Sequence, residues 1–246
     1  MGYRNFEKWA RVYDIIYSDY KEDIKFYTKE ALKENDKVLE IACGTGRIYL
    51  ELLKKGVDAY GIDISQKMID TLKKKAGEQN LKPKVKQSNM KNFNLNHKFS
   101  LIIIPFRSYL HNLTTDDQLN TLKNIKRHLK PGGRLILNFF FPNPEIITNT
   151  YGKEISETIK SGNTSYTLSS TSYFVNEPEQ IVEFTNTLKE KGEVIWEDKF
   201  QLALIYKKEF ELLLRLAGFK DWKVYAGFDC RPLTSYKQEM VWIIGK

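Results

Sequence analysis

The chain has 246 residues, of which 41% are apolar and 28% charged, a composition typical of a folded globular domain rather than a disordered or fibrous chain. No apolar run approaches the roughly 20 residues that a membrane-spanning helix needs. The two cysteines, Cys43 and Cys230, predict neither a disulfide framework nor a zinc site. We therefore expect a soluble cytoplasmic protein without a metal. The net charge of +8 leaves a nucleic-acid partner open, although lysines interleaved with glutamates favour a solvated basic surface.

The first part of the chain alternates between helical and strand patterns. Residues 3–33 carry apolar side chains at helical spacing and predict two helices. The strands that follow are short, and several are continuously apolar, as expected where helices cover both faces of a parallel sheet. We predict strands at 37–42, 58–65, 83–90, 99–106 and 134–141, and helices at 47–56, 66–76 and 116–129.

After Pro142 the hydrophobic pattern changes to the period of a β-strand. Alternating segments at 164–175, 180–190 and 193–206, separated by turn residues, predict an antiparallel meander. A helix at 207–219 and strands at 222–228 and 240–246 then resume the first pattern. The sequence thus predicts a doubly wound α/β fold with a mostly parallel, seven-stranded sheet. We assign this fold to residues 1–141 and 207–246, and an inserted antiparallel β subdomain to residues 142–206.

A glycine turn, Gly44-Thr45-Gly46, follows the first predicted strand. Such a turn lets the backbone approach a ligand, and the helix after it offers free N–H groups. Tyr49 stands where a dinucleotide fingerprint requires its third glycine, so a pyrophosphate ligand is disfavoured. We expect a different ligand at the carboxyl end of this strand.

The stretch from Glu40 to Gly46 resembles the first motif of class I S-adenosylmethionine-dependent methyltransferases, an acid followed by a small-x-Gly-x-Gly turn. Ala42 stands in place of the first glycine. The resemblance implies a Rossmann-like fold that binds S-adenosylmethionine. It places the loop with Ala42, Cys43, Gly44 and Gly46 around the methionine part of the cofactor and Glu40 near its ammonium group.

Two further motifs of the same family are expected to hold the nucleoside. Asp63 ends the second strand, where a carboxylate can accept both ribose hydroxyls. The resemblance places Ile64 and Met68 beside the adenine. Asn89 stands where many family members have an aspartate for the adenine amino group, and an amide oxygen can still accept that hydrogen bond. Met90 follows as the apolar contact to the ring.

The remaining candidates face the reacting atoms. Pro105 ends the fourth strand, which in the family faces the sulfonium. Tyr13 and Tyr17 resemble tyrosines of an aromatic cap helix that closes over the cofactor in small-molecule members, although they also suit an ordinary core face. His111 is the best candidate for a general base because its intrinsic pKa suits that work. Arg107 is a candidate for orienting an anionic acceptor.

The acceptor is expected to be a small molecule methylated on nitrogen or oxygen. The fourth motif reads Ile104-Pro105-Phe106-Arg107 and lacks the Asn/Asp-Pro-Pro-aromatic turn of enzymes that methylate the amines of nucleic-acid bases. The inserted meander resembles that of sugar N-methyltransferases and other small-molecule enzymes, which suggests a monomer or a homodimer. Two alternatives stay open: a tRNA or rRNA methyltransferase, and a non-catalytic S-adenosylmethionine-binding protein.

Overall fold

The N-terminal segment folds into three helices rather than the two predicted. In the computed structural model, which describes residues 6–246, they are α1 (Phe6–Trp9), α2 (Tyr13–Ile16) and α3 (Glu22–Ala31). The break before α3 separates the two predicted helices and contains Ser18 and Asp19, whose side chains favour turns over helix interiors. The additional break lies between α1 and α2, at residues 10–12. The predicted start of the first helix, at residue 3, lies outside the described residues.

The other elements follow the predicted alternation with shifted ends. In chain order they are β1 (Val38–Ile41), α4 (Tyr49–Lys54), β2 (Ala59–Asp63), α5 (Gln66–Glu78), β3 (Lys84–Gln87), β4 (Phe99–Ile104), the 3₁₀-helix Ser108–His111, α6 (Thr115–His128), β5 (Leu129–Phe140), α7 (Pro144–Thr150), β6 (Ile155–Ser161), β7 (Thr164–Asn176), β8 (Ile181–Glu190), β9 (Glu193–Ala203), α8 (Lys207–Leu216), β10 (Asp221–Ala226), β11 (Arg231–Pro232) and β12 (Glu239–Gly245).

The central sheet has the strand order β11-β10-β12-β5-β4-β1-β2-β3 within the described residues. Strands β1 to β5 pair in parallel, whereas β12, β10 and β11 are antiparallel. The doubly wound, mostly parallel fold is therefore confirmed. The sheet has eight strands rather than seven, because the two-residue strand β11 pairs with the end of β10 and is too short to produce a periodic sequence pattern.

The inserted sheet is antiparallel, in the order β6-β7-β8-β9. It has four strands where the sequence predicted three, and α7 precedes it. The hydrophobic pattern of the sequence did not predict β6, because only Ile159 of its seven residues is buried and apolar and polar positions do not alternate along the strand.

The order of the central strands places a crevice at the carboxyl ends of β1 and β4. The chain runs outward from β1 to β3 on one side and from β4 to β5 on the other, and ligands of such sheets bind at this switch point. All four residues of β1 are buried, so helices cover both faces there. No helix among residues 6–246 is long and apolar enough to cross a membrane.

The short helices α1 and α2 lie between the crevice and the inserted sheet. A buried cluster joins the two helices to this sheet and to α5, with members Trp9, Val12, Ile16, Met68, Ile159, Leu168, Leu188 and Trp196. Trp9 packs edge-on against Trp196, with ring centroids 4.6 Å apart. We call α1 and α2 the cap, since they cover the carboxyl ends of the parallel strands.

Candidate functional site

The loop between β1 and α4 has a tight left-handed backbone. The φ angles are +58° at Ala42, +54° at Gly44 and +89° at Gly46. A Cβ atom on Gly46 would lie 2.9 Å from side-chain carbons of Leu50 and Leu72, so only glycine fits there. A Cβ atom on Gly44 would meet nothing within 4 Å, which leaves that side of the loop open to a ligand.

Asp63 connects the end of β2 to the glycine loop. Its Oδ2 atom accepts a hydrogen bond from the amide of Gly44 (2.8 Å), and Oδ1 accepts one from the amide of Ser65 (2.8 Å). Burial raises the pKa of Asp63, and these two amides partly oppose the shift. Of the predicted adenine contacts beside it, Ile64 is exposed, and Met68 is buried in the cluster that joins the cap to the inserted sheet.

A small cavity lies between the glycine loop, the cap and the turn after β4. The residues that line it are Tyr13, Glu40, Ala42, Cys43, Arg47, Ile48, Pro105, Phe106 and Ser108. Five of the residues predicted to hold the cofactor are among them. Tyr13 is one of the five, and burial raises its pKa to about 12, so its phenol stays protonated.

A buried acid and a buried base line this cavity. Within the described part of the chain, Glu40 Oε2 and Arg47 Nε have no hydrogen-bond partner. Burial holds the pKa of Glu40 well above its usual range, although the charge of Arg47 opposes this shift. Buried polar atoms are nearly always paired in native proteins, so two orphaned atoms in one cavity indicate a place for a ligand.

Arg47 is held in place by its other atoms. Its guanidinium makes two hydrogen bonds to the buried carboxylate of Asp23, at 2.6 and 2.7 Å. The same group lies 4.9 Å from the centroid of the Phe106 ring and 5.3 Å from that of Tyr20. The sequence analysis missed Arg47, although it directly follows the second glycine of the turn.

The cap is attached to the ligand-facing loops by two carboxylates. Asp14 accepts a hydrogen bond from Thr45 Oγ1 (2.7 Å). Glu7 accepts hydrogen bonds from Ser65 Oγ (3.0 Å) and from the amide of Gln66 (3.1 Å). Tyr17, predicted to close over the cofactor, packs edge-on against Phe106, 4.6 Å between ring centroids.

Other predicted residues lie away from the small cavity. Asn89 Oδ1 accepts a hydrogen bond from the amide of Lys91 (2.9 Å), and the sulfur of Met90 lies 3.3 Å from Asn112 Nδ2. Neither residue lines the cavity, so their predicted contact with adenine stays a prediction.

His111 ends the 3₁₀-helix beyond the cavity. Its ring packs edge-on against Phe6 (5.3 Å between centroids), and Nδ1 lies 3.4 Å from the carbonyl oxygen of Gln201 in β9. Arg107 pairs with Glu239, with Nη2 and Oε2 2.8 Å apart. The structure thus places His111 between the cap and the inserted sheet, and Arg107 at the edge of the crevice.

A second, wider cleft runs along the outer side of α6. Its lining is strongly basic and includes Lys91, Lys98, Lys123, Lys126, Arg127 and Lys246. Asp117 is the acidic residue among those that line it. It shares no residue with the cavity that contains Glu40 and Arg47.

Comparisons with known proteins bear on the family and the fold. Residues 38–133 match a family described as a methyltransferase domain. The chain is 26% identical to the dTDP-3-amino-3,4,6-trideoxy-alpha-D-glucopyranose N,N-dimethyltransferase of Streptomyces venezuelae, over 86% of this chain and 90% of that relative.

Two solved structures are similar in fold along nearly the whole chain. An S-adenosylmethionine-dependent methyltransferase from Clostridium acetobutylicum has a TM-score of 0.80 at 19% identity, covering 98% of both chains. An S-adenosylmethionine-bound amino pentose methyltransferase from Micromonospora echinaspora has a TM-score of 0.70 at 16% identity, covering 99% of this chain and 98% of that one. At these identities the structural likeness establishes the fold.

Proposed function

The chain is a class I S-adenosylmethionine-dependent methyltransferase, and on this premise we propose that it methylates the amino group of an amino sugar. The observation that carries the proposal is the likeness to an amino-sugar N,N-dimethyltransferase over 90% of that relative's length. Because the match spans 86% of this chain, it extends well beyond the residues expected to hold the cofactor.

The polar groups that line the small cavity match those of the cofactor's amino-acid end. That end carries one ammonium and one carboxylate group, and the cavity offers one orphaned acid and one orphaned base. Glu40 Oε2 would accept from the ammonium, and Arg47 Nε would donate to the carboxylate. Such charge-assisted hydrogen bonds are stronger than hydrogen bonds between neutral groups.

Asp63 has the capacity to hold the ribose. An ionised carboxylate offers about four acceptor sites, and the amides of Gly44 and Ser65 use two of them. The remaining sites would accept the two ribose hydroxyls. The same two amides fix the orientation of the carboxylate before the cofactor binds.

The cofactor supplies an activated methyl group, and the protein must align the acceptor and exclude water. The aromatic rings of Trp9, Tyr13, Tyr17 and Phe106 between the cap and the turn after β4 form apolar walls suited to this task. A protonated amine must lose a proton before it attacks, and His111 is the candidate base. The carbonyl of Gln201 favours a proton on Nδ1, which makes Nε2 the basic nitrogen.

The direct test is methyl transfer to a defined acceptor. We would mix the protein with S-adenosylmethionine and dTDP-3-amino-3,4,6-trideoxy-glucose, with the matching 3-hydroxy sugar and bulk tRNA as comparisons. The proposal predicts one or two methyl groups on the amino sugar and none on the other two. Methylation of the hydroxy sugar or of tRNA, with the amino sugar untouched, would overturn it.

A further inference from the structure

The turn after β4 has an unfavourable backbone. Phe106 and Arg107 follow each other with φ angles of +57° and +63°, although neither is glycine. In this region the Cβ atom of an L-residue crowds its own backbone, and two bulky residues in succession are rarely found there. Such a conformation persists only where the surroundings enforce it.

Asn138 of β5 binds both amides of this turn. Its side-chain Oδ1 atom accepts a hydrogen bond from the amide of Phe106 (2.9 Å), and its backbone carbonyl accepts one from the amide of Arg107 (3.1 Å). Asn138 is only 1% exposed, so water does not compete for these bonds. One residue of the neighbouring strand thus holds two consecutive left-handed residues.

Asn138 is itself fixed from two further elements. Tyr27 of α3, which is fully buried, donates its hydroxyl hydrogen to the same Oδ1 atom (2.7 Å). Asn138 Nδ2 donates to Glu239 Oε1 of β12 (2.7 Å), and Glu239 also pairs with Arg107 of the turn. An amide is the side chain this position requires, since it accepts two hydrogen bonds through oxygen and donates through nitrogen.

We infer that Asn138 is a positioning residue of the methyl-transfer site, which acts by holding the Phe106–Arg107 turn in its left-handed conformation. The turn sets the place of Pro105 and Phe106, both of which line the cavity. The Phe106 ring in turn packs against Arg47 and Tyr17. Asn138 does not line that cavity, so its effect on the cofactor passes through the turn. The inference rests on the proposed role of this cavity in holding the methyl donor.

The test compares local amide exchange with ligand affinity and needs no methyl acceptor, so it can fail independently of the amino-sugar proposal. Asn138→Ala removes the side-chain acceptor, and Asn138→Asp keeps an oxygen for Phe106 and Tyr27 but replaces the Nδ2 donor to Glu239 with a second oxygen. Ile136→Val, two residues earlier on β5 and fully buried, is the control for a general loss of stability. Exchange is followed at the amides of Phe106 and Ile103, and S-adenosylhomocysteine affinity by calorimetry.

We expect Asn138→Ala to speed exchange at Phe106 by about tenfold or more while Ile103 in β4 stays protected. Affinity for S-adenosylhomocysteine should fall by about tenfold, because a displaced turn shifts the cavity wall. Asn138→Asp should lose part of the protection at Phe106, because its second oxygen faces Glu239 Oε1 without a donor between them, and Ile136→Val should keep both properties. Unchanged protection at Phe106 in Asn138→Ala would overturn the inference. Lost protection with unchanged affinity would also overturn it, since the turn would then not serve the ligand.

Discussion

Thr45 Oγ1 in the glycine loop lies 2.7 Å from Asp14 Oδ1 in the cap. Asp14 also pairs with Lys75 of α5, 2.9 Å from Oδ2 to Nζ. One carboxylate therefore joins the cap to the loop that would surround the methionine part and to α5, the helix that follows β2. Because the cap covers the crevice, we expect these contacts to open when the cofactor enters or leaves.

The first prediction concerns the rate at which the cap opens. Asp14→Ala should raise the dissociation rate of S-adenosylhomocysteine by about tenfold, since the closed cap loses its contacts with Thr45 and Lys75. Stopped-flow fluorescence measures this rate, because Trp9 of the cap packs against Trp196 of the inserted sheet. Asp19→Ala is the control, as Asp19 is exposed in the same segment. Equal dissociation rates in the parent and Asp14→Ala would show that this contact does not hold the cap.

The second prediction is a pH dependence set by Glu40. Burial raises the pKa of this carboxyl, and it must ionise to accept from the cofactor's ammonium. Affinity for S-adenosylhomocysteine should therefore rise as pH increases through that raised pKa, with release of a proton on binding. Calorimetry in buffers of different ionisation enthalpy detects the proton. Glu40→Gln should weaken binding by about tenfold or more and abolish the proton release.

The same substitution should affect stability in the opposite direction. A carboxyl whose pKa is higher in the folded than in the unfolded protein holds its proton more strongly when folded, so folding stability falls as pH rises between the two values. Replacing this buried acid with a neutral amide should raise the free energy of unfolding at about pH 7 by roughly 1 kcal/mol. Denaturant unfolding without ligand measures the change. A less stable Glu40→Gln protein would contradict the buried, unpartnered state of this acid.

The third prediction concerns strain at Ala42. This residue stands in place of the first glycine of the motif and has a φ of +58°, which costs an L-residue roughly 1–2 kcal/mol. Ala42→Gly removes that cost but adds flexibility to the unfolded chain, so we expect a net gain of up to about 1 kcal/mol. Ala76→Gly, in the helix α5, should instead destabilise. Urea midpoints measure both variants, and a destabilised Ala42→Gly would show that no strain is relieved.

The fourth prediction separates base catalysis from cofactor binding. His111 does not line the cavity that contains Glu40, so His111→Ala should leave S-adenosylhomocysteine affinity unchanged. If it is the general base, kcat for an amine acceptor should fall by about 10²-fold or more. His97→Ala is the matched control, since His97 is exposed in the loop before β4. An unchanged kcat in His111→Ala would contradict the role of His111 as a base and leave its packing against Phe6 as its role.

The sequence predicts the parts of the fold that depend on local pattern. Mostly apolar strands such as β1 and β4 are almost fully buried, and their pattern indicates this without knowledge of their neighbours. Strand β6 was missed because it is mostly exposed, and the break between α1 and α2 because the aromatic spacing continues across it. The glycine loop and Asp63 were found because each lies at the carboxyl end of a recognisable strand.

The contacts between distant segments could not be predicted in this way. Asn138 meets Tyr27, which is 111 positions away, and Glu239, which is 101 positions away. Arg47 is a candidate site residue because it is buried beside Glu40 and Asp23. The sequence shows only a charged residue just before a helix, and this pattern does not predict burial or a role in binding. These relationships depend on the strand order, which brings β5, β12 and α3 together.

The measurement that tests the central claim most directly is a calorimetric titration of the parent protein and Asp63→Ala with S-adenosylhomocysteine, with NAD as the control ligand. Asp58→Ala, at the other end of β2, is the matched variant. We predict that S-adenosylhomocysteine binds the parent and Asp58→Ala with micromolar affinity and that NAD does not bind. Asp63→Ala should bind S-adenosylhomocysteine about 10²-fold more weakly, because two ribose hydroxyls lose their acceptor. Equal affinity of Asp63→Ala and the parent, or binding of NAD instead, would contradict the account.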